Sequence, residues 1–191
     1  MSTDIMLDLE TLATTPDAVI LSIGACRFSL ETNEVFYGSE DVSFYRAISI
    51  DSQPGRKISQ STIEWWMAQS RAAQGVFSEP KCSLQTALLD LSLWMCGPGT
   101  SSPTVWSNGA DFDLPILTHA FDQVDIDRPW APYAGRCYRT YKNLPGARGV
   151  KVMRLGEHHN ALHDAVYQAH HVCAIHQALF ARSAKPVEVA A

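Results

Sequence analysis

Thr3 to Thr11 read TDIMLDLET. Ile5, Met6 and Leu7 form an unbroken apolar run, the pattern of a strand covered on both faces rather than on one. The run stops at Asp8, and Glu10 follows two residues on. Side chains two apart on an extended chain point to the same face, so this strand ends in two carboxylates facing one way. Two anions that close repel each other unless a cation lies between them. These residues alone leave open a solvated strand end and a ligand site. Acidic residues at the end of a central strand do, however, lie where α/β proteins place ligand chemistry.

Outward from this strand, AVILSIGACRF (Ala18 to Phe28) and SFYRAISI (Ser43 to Ile50) read as two more, and the short connections predict an antiparallel meander. Ser61 with Glu64 three residues later is a capping-box pattern, which predicts a helix beginning near Ser61. SLQTALLDLSLWM (Ser83 to Met95) has helical apolar spacing, Gly97 to Pro103 is a loop, and TVWSN (Thr104 to Asn108) is a short strand. The amphipathic FDLPILTHAFDQV follows; Pro115 fits only in a first turn, so this helix starts near Asp111 or Phe112. AGRCYRTYKNL is compatible with strand or helix, and PGARGVKVMRLGEHH reads as loop. A final helix from about Asn160 to about Arg182 carries the apolar stripe Leu162, Ala165, Val166, Ala169, Val172, Cys173 and Leu179. Three strands followed by alternating helices and strands predict one α/β domain over residues 1–183 with a mixed sheet, and a frayed tail over 184–191.

The bulk numbers agree with a globular chain. Of 191 residues, 46% are hydrophobic and 18% charged, enough for a sizeable core. The longest apolar run, Ala18 to Cys26, is too short to span a bilayer, and the N-terminus has no secretory pattern. Five scattered cysteines without a C-x-x-C suit reduced thiols in a cytoplasmic protein. The net charge of -5 argues against non-specific binding of nucleic acid. Yet Arg128, Arg136, Arg139, Lys142, Arg148, Lys151 and Arg154 fall in a stretch with no acidic residue. Such a stretch is either a solvated loop or a surface for a polyanion.

Two further segments bring chemistry. WSNGADFDLPIL (Trp106 to Leu117) sets Asp111 and Asp113 at a strand–helix junction, where a plain helix N-cap is one reading, better suited to Asp111. HHNALHDA (His158 to Ala165) sets His159 five residues before Asp164. His159 and His163 have the i, i+4 spacing that can grip zinc, but no Glu follows the first histidine and no cysteine is near, so zinc is the lesser reading. His170, His171 and His176 read as surface or core histidines.

Asp-x-Glu on a first strand, a later Asn-Gly…Phe-Asp and a late His-x-x-x-x-Asp, in that order, resemble the DEDDh branch of the 3'-5' exonucleases. That superfamily includes RNase T, oligoribonuclease and polymerase proofreading domains. DIMLDLET…PDAVILSIGA, STIEWWMAQS and VWSNGADFDLPIL resemble more closely the exonuclease VIII-like and 3'-5' exoribonuclease-like proteins of bacteria and phages. The resemblance covers residues 4 to 175. It implies a ribonuclease H-like fold with a mixed sheet of about five strands, and removal of nucleotides from the 3' end of RNA or DNA. It places the four metal-binding carboxylates on Asp8, Glu10, Asp113 and Asp164, and the general base on His159. Asp113 is preferred to Asp111 because it directly follows Phe112. Asn160 stands where the sister branch has tyrosine; Ala13 and His163 depart from residues common in relatives. The implied cofactors are two Mg2+ or Mn2+ ions, roughly 3.5–4 Å apart in two-metal sites, which would resolve the repulsion between Asp8 and Glu10. Thr11, Leu12 and Asn108 are the implied substrate contacts, and Arg139 is the candidate from the basic stretch. Trp65 and Trp66, about 100° apart on a helix, cannot share one role; one belongs to the core and the other can stack a base. The implied partner is single-stranded nucleic acid or a 3' overhang, and homodimers are common among relatives. The alternatives are a nuclease for very short oligonucleotides and a non-catalytic nucleic-acid-binding module on the same fold.

Overall fold

The structure, a computed structural model, describes residues 4–96, 103–109 and 111–180. In chain order its elements are β1 (Asp4–Thr11), β2 (Ile20–Ser29), β3 (Glu34–Phe36), β4 (Ser43–Ala47), α1 (Gln60–Met67), α2 (Leu84–Met95), β5 (Val105–Ser107), α3 (Asp113–Gln123), β6 (Gly135–Cys137), α4 (Tyr138–Lys142) and α5 (Ala161–Phe180). β1 is central, as its apolar run predicts: β2 pairs with it antiparallel and β5 parallel, and β6 continues parallel to β5. The sheet is mixed and the domain α/β. Among the described residues six strands form it, in line with the about five expected. β3 takes Arg27 to Ser29 and β4 takes Ser22 to Cys26 on one edge of β2, so the two are a single strand interrupted by residues 37–42. β3 escapes a sequence reading because it has only three residues, entered from a turn with Asn33 at φ 58°. The third strand also ends at Ala47 rather than Ile50: the Ile48 N–H still donates to Leu21 O at 2.8 Å, but Ile48 bridges Cys82 on its other side and a 3-10 turn follows over Ile50–Ser52.

Alternation along β1 divides the core. Ile5, Leu7 and Leu9 face a cluster containing Leu84, Leu88 and Leu91 of α2 and Ile116, Leu117 and Phe121 of α3. Met6 faces the other way, against Phe28, Trp106 and the α5 residues Ala165, Val166, Ala169 and Val172. Asp8 and Glu10 share the parity of Met6 and therefore look towards α5.

Helix starts differ in detail from expectation. α1 begins at Gln60 behind Ser59, and the capping box of Ser61 and Glu64 does not form: Ser61 Oγ lies 2.8 Å from Ser59 Oγ, and Glu64 accepts from Gln60 Nε2 at 2.8 Å. α2 is capped by Ser83 Oγ, which accepts from the Thr86 N–H at 3.1 Å. α3 begins at Asp113 with Pro115 in its first turn as expected, but its N-cap residue is Phe112 and Asp111 makes no cap. The ambiguous AGRCYRTYKNL is strand and then helix. The expected extension of α5 to Arg182, the tail over 184–191 and most of the loop expected at Gly97–Pro103 lie outside the described residues.

One close approach sets the position of α5. A Cβ on Gly24 of β2 would stand 2.1 Å from the backbone of Ala161 and Leu162, so only glycine lets the first turn of α5 rest on the sheet. Gly24→Ala should lower the urea midpoint by the equivalent of about 1–3 kcal/mol, the usual cost of overpacking. An unchanged midpoint would mean that the helix does not press on the strand.

Candidate active site

Asp8 and Glu10 at the end of β1 and Asp164 in the first turn of α5 line one cleft of about 800 Å³, and Asp113 at the first position of α3 lies near enough to raise the carboxyls of Asp8 and Glu10. Asp113 is buried, 1% exposed, and does not itself line the cleft. Its Oδ1 accepts from the Leu9 N–H at 3.2 Å, and the Asn108 N–H also donates to it. Asp8 Oδ1 accepts from Gln168 Nε2 at 2.7 Å. Asp164 has both oxygens engaged: Oδ1 by Arg154 Nη1, Oδ2 by the His159 N–H at 2.9 Å.

The charge balance of this centre is poor. Burial pushes the Asp8 carboxyl well above the usual carboxylate range, and the neighbouring Asp113, Glu10 and Asp164 raise it further. Burial, then Asp164 and Asp113, push Glu10 up to about 8. Burial lifts Asp113 to about 7 against the lowering effect of its backbone hydrogen bonds. Groups so arranged cannot all ionise at neutral pH without added positive charge. Asp113 Oδ2 is buried with no hydrogen-bond partner, and ligand atoms of Glu10, His159 and Asp164 lie within 4.8 Å of one another. Hard oxygen donors, partly unsatisfied and held in a compact group, fit divalent cations such as Mg2+ or Mn2+.

His159 stands at the mouth with φ 63°, a left-handed conformation that turns its N–H onto Asp164. Its ring meets Trp65 edge-on, with centroids 4.7 Å apart, and its Nε2 lies 2.7 Å from His158 Nδ1. Burial, and next the neighbouring His158, lower its pKa, which keeps the imidazole neutral at pH 7. His163 turns away: its Nδ1 accepts from the Glu157 N–H at 3.0 Å. The lesser reading, a zinc pair of His159 and His163, finds no support: His159 precedes α5, as expected, and His163 is not in the group formed by Glu10, His159 and Asp164.

Of the expected substrate contacts, Thr11, Asn108 and Trp65 line the cleft. Trp66 and Leu12 do not: they are 2% and 4% exposed and pack with Val19 and Leu21. The helical rotation between adjacent residues sends Trp66 inward, where its Nε1–H donates to Thr11 O at 2.9 Å, and leaves Trp65 at the mouth. Arg139 lies exposed outside the cleft wall and donates to Asn108 O at 2.9 Å, which steadies the strand–helix turn. Arg154 and Lys142, both from the basic stretch, also line the cleft, as do His171, expected as a surface or core histidine, and Gln168 and Tyr138, which the sequence does not single out. A glutamine one turn after Asp164, within an otherwise apolar stripe, is a usable signal for Gln168; for Arg154 the basic stretch gives the charge but not its place on the cleft.

A mixed sheet of six strands flanked by helices, with this cleft at the end of its central strand, is the ribonuclease H-like fold of 3'-5' exonucleases. The family model for the 3'-5' exoribonuclease Rv2179c-like domain matches residues 3–176, and the chain belongs to that family. Similar solved structures include the nuclease domain of 3'hExo, a DEDDh family member, bound to rAMP: 13% identity, 92% of this chain, 91% of that one, TM-score 0.59. E. coli Exonuclease I in complex with a dT13 oligonucleotide shares 13% identity over 96% of this chain and 42% of its own, with TM-score 0.65. The cell-death related nuclease CRN-4 shares 12% over 91% of this chain and 63% of its own, with TM-score 0.60. This chain thus spans less than two thirds of the last two, and at these identities the likeness is one of fold. No curated protein sequence matches significantly. Among the described residues no helix is long and apolar enough to cross a membrane.

The raised carboxyls have a consequence for stability. In chelator, Asp8, Glu10 and Asp113 hold protons in the folded state that the unfolded chain releases near pH 4. The folded state then binds more protons, so the contribution of these three groups to stability is fully present below that pH and is lost as pH rises through 7 to 8. Urea midpoints measured in EDTA should fall between about pH 6 and about pH 8.5, and fall less in Glu10→Gln. A flat profile shared by both proteins would show that the centre ionises without cost.

Proposed function

We propose that the chain removes nucleotides from the 3' end of single-stranded RNA by metal-dependent hydrolysis. The observation that carries this reading is the set of four clustered carboxylates beside a neutral histidine in a 3'-5' exoribonuclease family member. Asp8, Glu10, Asp113 and Asp164 would hold two Mg2+ or Mn2+ ions through their oxygens. When bound, such ions activate water as the nucleophile and stabilise the departing 3'-oxygen. Gln168 and the Leu9 N–H fix the rotamers of Asp8 and Asp113, so each presents one remaining oxygen to the centre. His159 takes the proton of the attacking water on its neutral imidazole. Because His158 engages its Nε2, one of the two rings turns before that nitrogen can act. The exposed face of Trp65 is placed to stack the terminal base, an interaction worth about 1–3 kcal/mol. The Asn108 Oδ1, buried and without a partner, accepts a hydrogen bond from the terminal nucleotide.

Digestion of 5'-labelled RNA and DNA single strands tests this reading. RNA should shorten progressively from its 3' end with Mg2+ or Mn2+ and remain intact in EDTA; full activity in chelator would sink the two-metal reading. Asp8→Ala, Glu10→Ala, Asp113→Ala and Asp164→Ala should each nearly abolish shortening. Activity retained in Asp113→Ala but lost in Asp111→Ala would move the ligand by two residues.

His159→Ala should lower turnover roughly 10²–10⁴-fold, the worth of a positioned base, while calorimetry still detects metal binding. In the unaltered protein the rate should fall as pH drops through the lowered histidine pKa, because a protonated imidazole cannot accept a proton. That limb should flatten in His159→Ala. If His159→Ala instead strips the metals, the residue is a ligand rather than a base.

A further inference from the structure

We propose that Arg154 is a phosphate-binding residue of the cleft, freed for substrate when a divalent cation displaces it from Asp164. The inference rests on the reading of the four carboxylates as a cation site. Among the described residues Arg154 is the one arginine on the cleft wall, and it donates to Asp164 Oδ1. The other oxygen of Asp164 is held by the His159 N–H. Both oxygens of Asp164 thus already accept a hydrogen bond, and a cation drawn to Oδ1 meets the charge of the guanidinium bound to that same oxygen. Arg154 is thus the resident counter-charge of a centre whose acids are costly to ionise.

The surroundings give the displaced side chain somewhere to go. Its guanidinium carbon lies 4.1 Å from the Tyr167 ring centroid, and Tyr167 also lines the cleft. Lys142 stands on the same wall, with its Nζ over the Tyr138 ring at 4.8 Å. This wall is basic and aromatic, and it faces the α1 wall of Ser61, Thr62 and Trp65. A guanidinium resting on Tyr167 presents its planar fork to the cleft, a geometry that suits a phosphodiester.

The backbone around Arg154 permits the move. The segment from Lys151 to Leu155 has no helix or strand and lies between Gly149 (φ +99°) and Gly156 (φ +78°). Met153 beside it is 79% exposed. The hydrogen bond from His171 Nε2 to Val150 O, at 2.9 Å, anchors the segment's start. Metal loading and phosphate binding are then coupled, and the coupling is reciprocal.

The test uses the full chain as wild type, Arg154→Gln and Arg154→Lys. One probe is Mn2+ by calorimetry. The other is a short single-stranded oligoribonucleotide with 3' phosphorothioate linkages, titrated in EDTA and in Ca2+. Arg154→Gln should bind Mn2+ roughly tenfold tighter, the scale of one charge-assisted hydrogen bond removed from competition. It should bind the oligonucleotide like wild type in EDTA but roughly tenfold more weakly in Ca2+, again the scale of one such bond. In Ca2+ its slope of log K against log salt should be shallower by about 0.7, one phosphate contact on a single strand. Arg154→Lys should keep most of that slope. Equal Mn2+ affinity in wild type and Arg154→Gln overturns the competition. An equal loss of oligonucleotide affinity with and without Ca2+ overturns the handover and makes Arg154 a fixed rim charge. A wild type that binds no divalent ion refutes the cation-site reading itself, an outcome distinct from either.

Discussion

The contact between Gly24 and the start of α5 governs this molecule. Ala161 and Leu162 lie on the strand backbone where any side chain would stand. That seat fixes the height of α5 over β2 and, three residues later, brings Asp164 to the end of β1. Parity along β1 does the rest, turning Asp8 and Glu10 towards the same helix while Ile5, Leu7 and Leu9 anchor the strand in the opposite layer. The site is therefore made by packing: a hydrophobic sandwich holds charged groups closer together than their charges favour.

The electrostatics show how far packing prevails. Three carboxyls are shifted upward, and burial is the leading cause for each. Local donors offset part of that cost: the Leu9 N–H on Asp113, the Gln168 amide on Asp8, and Arg154 with the His159 N–H on Asp164. Amide donors are neutral and compensate weakly, whereas Arg154 brings a full charge. Such imbalance makes the ionised form of the centre costly to the fold, so the charge that chemistry needs works against stability.

Much of this was legible in the sequence, for physical reasons. The apolar run of Ile5 to Leu7 identified the central strand, and the spacing of Asp8 and Glu10 their common face. The first-turn proline at 115 located α3 within a residue or two. What escaped was set by tertiary partners. The Ser61–Glu64 box lost to Ser59 and Gln60, which compete for the same groups. Trp65 and Trp66 could be assigned opposite roles from helical geometry, but not which took which, since that depends on where α1 docks. β3 and β6 are too short to show periodicity. Arg154 lies ten residues from the carboxylate it meets, across a loop whose path no local pattern encodes.

The interruption between β3 and β4 bears on how the protein behaves in a crowd. A sheet edge is a row of unpaired backbone groups that can template a neighbouring chain, and long flat edges are the dangerous ones. Residues 37–42 split one edge of this sheet, leaving three paired residues on one side and five on the other. The opposite edge, β6, is three residues long and carries Arg136 at its centre. Neither border offers the six or seven residues of uninterrupted strand that cross-β stacking requires. The break that obscures a strand in the sequence thus leaves this strongly apolar sheet without a long flat edge for a neighbouring chain to extend.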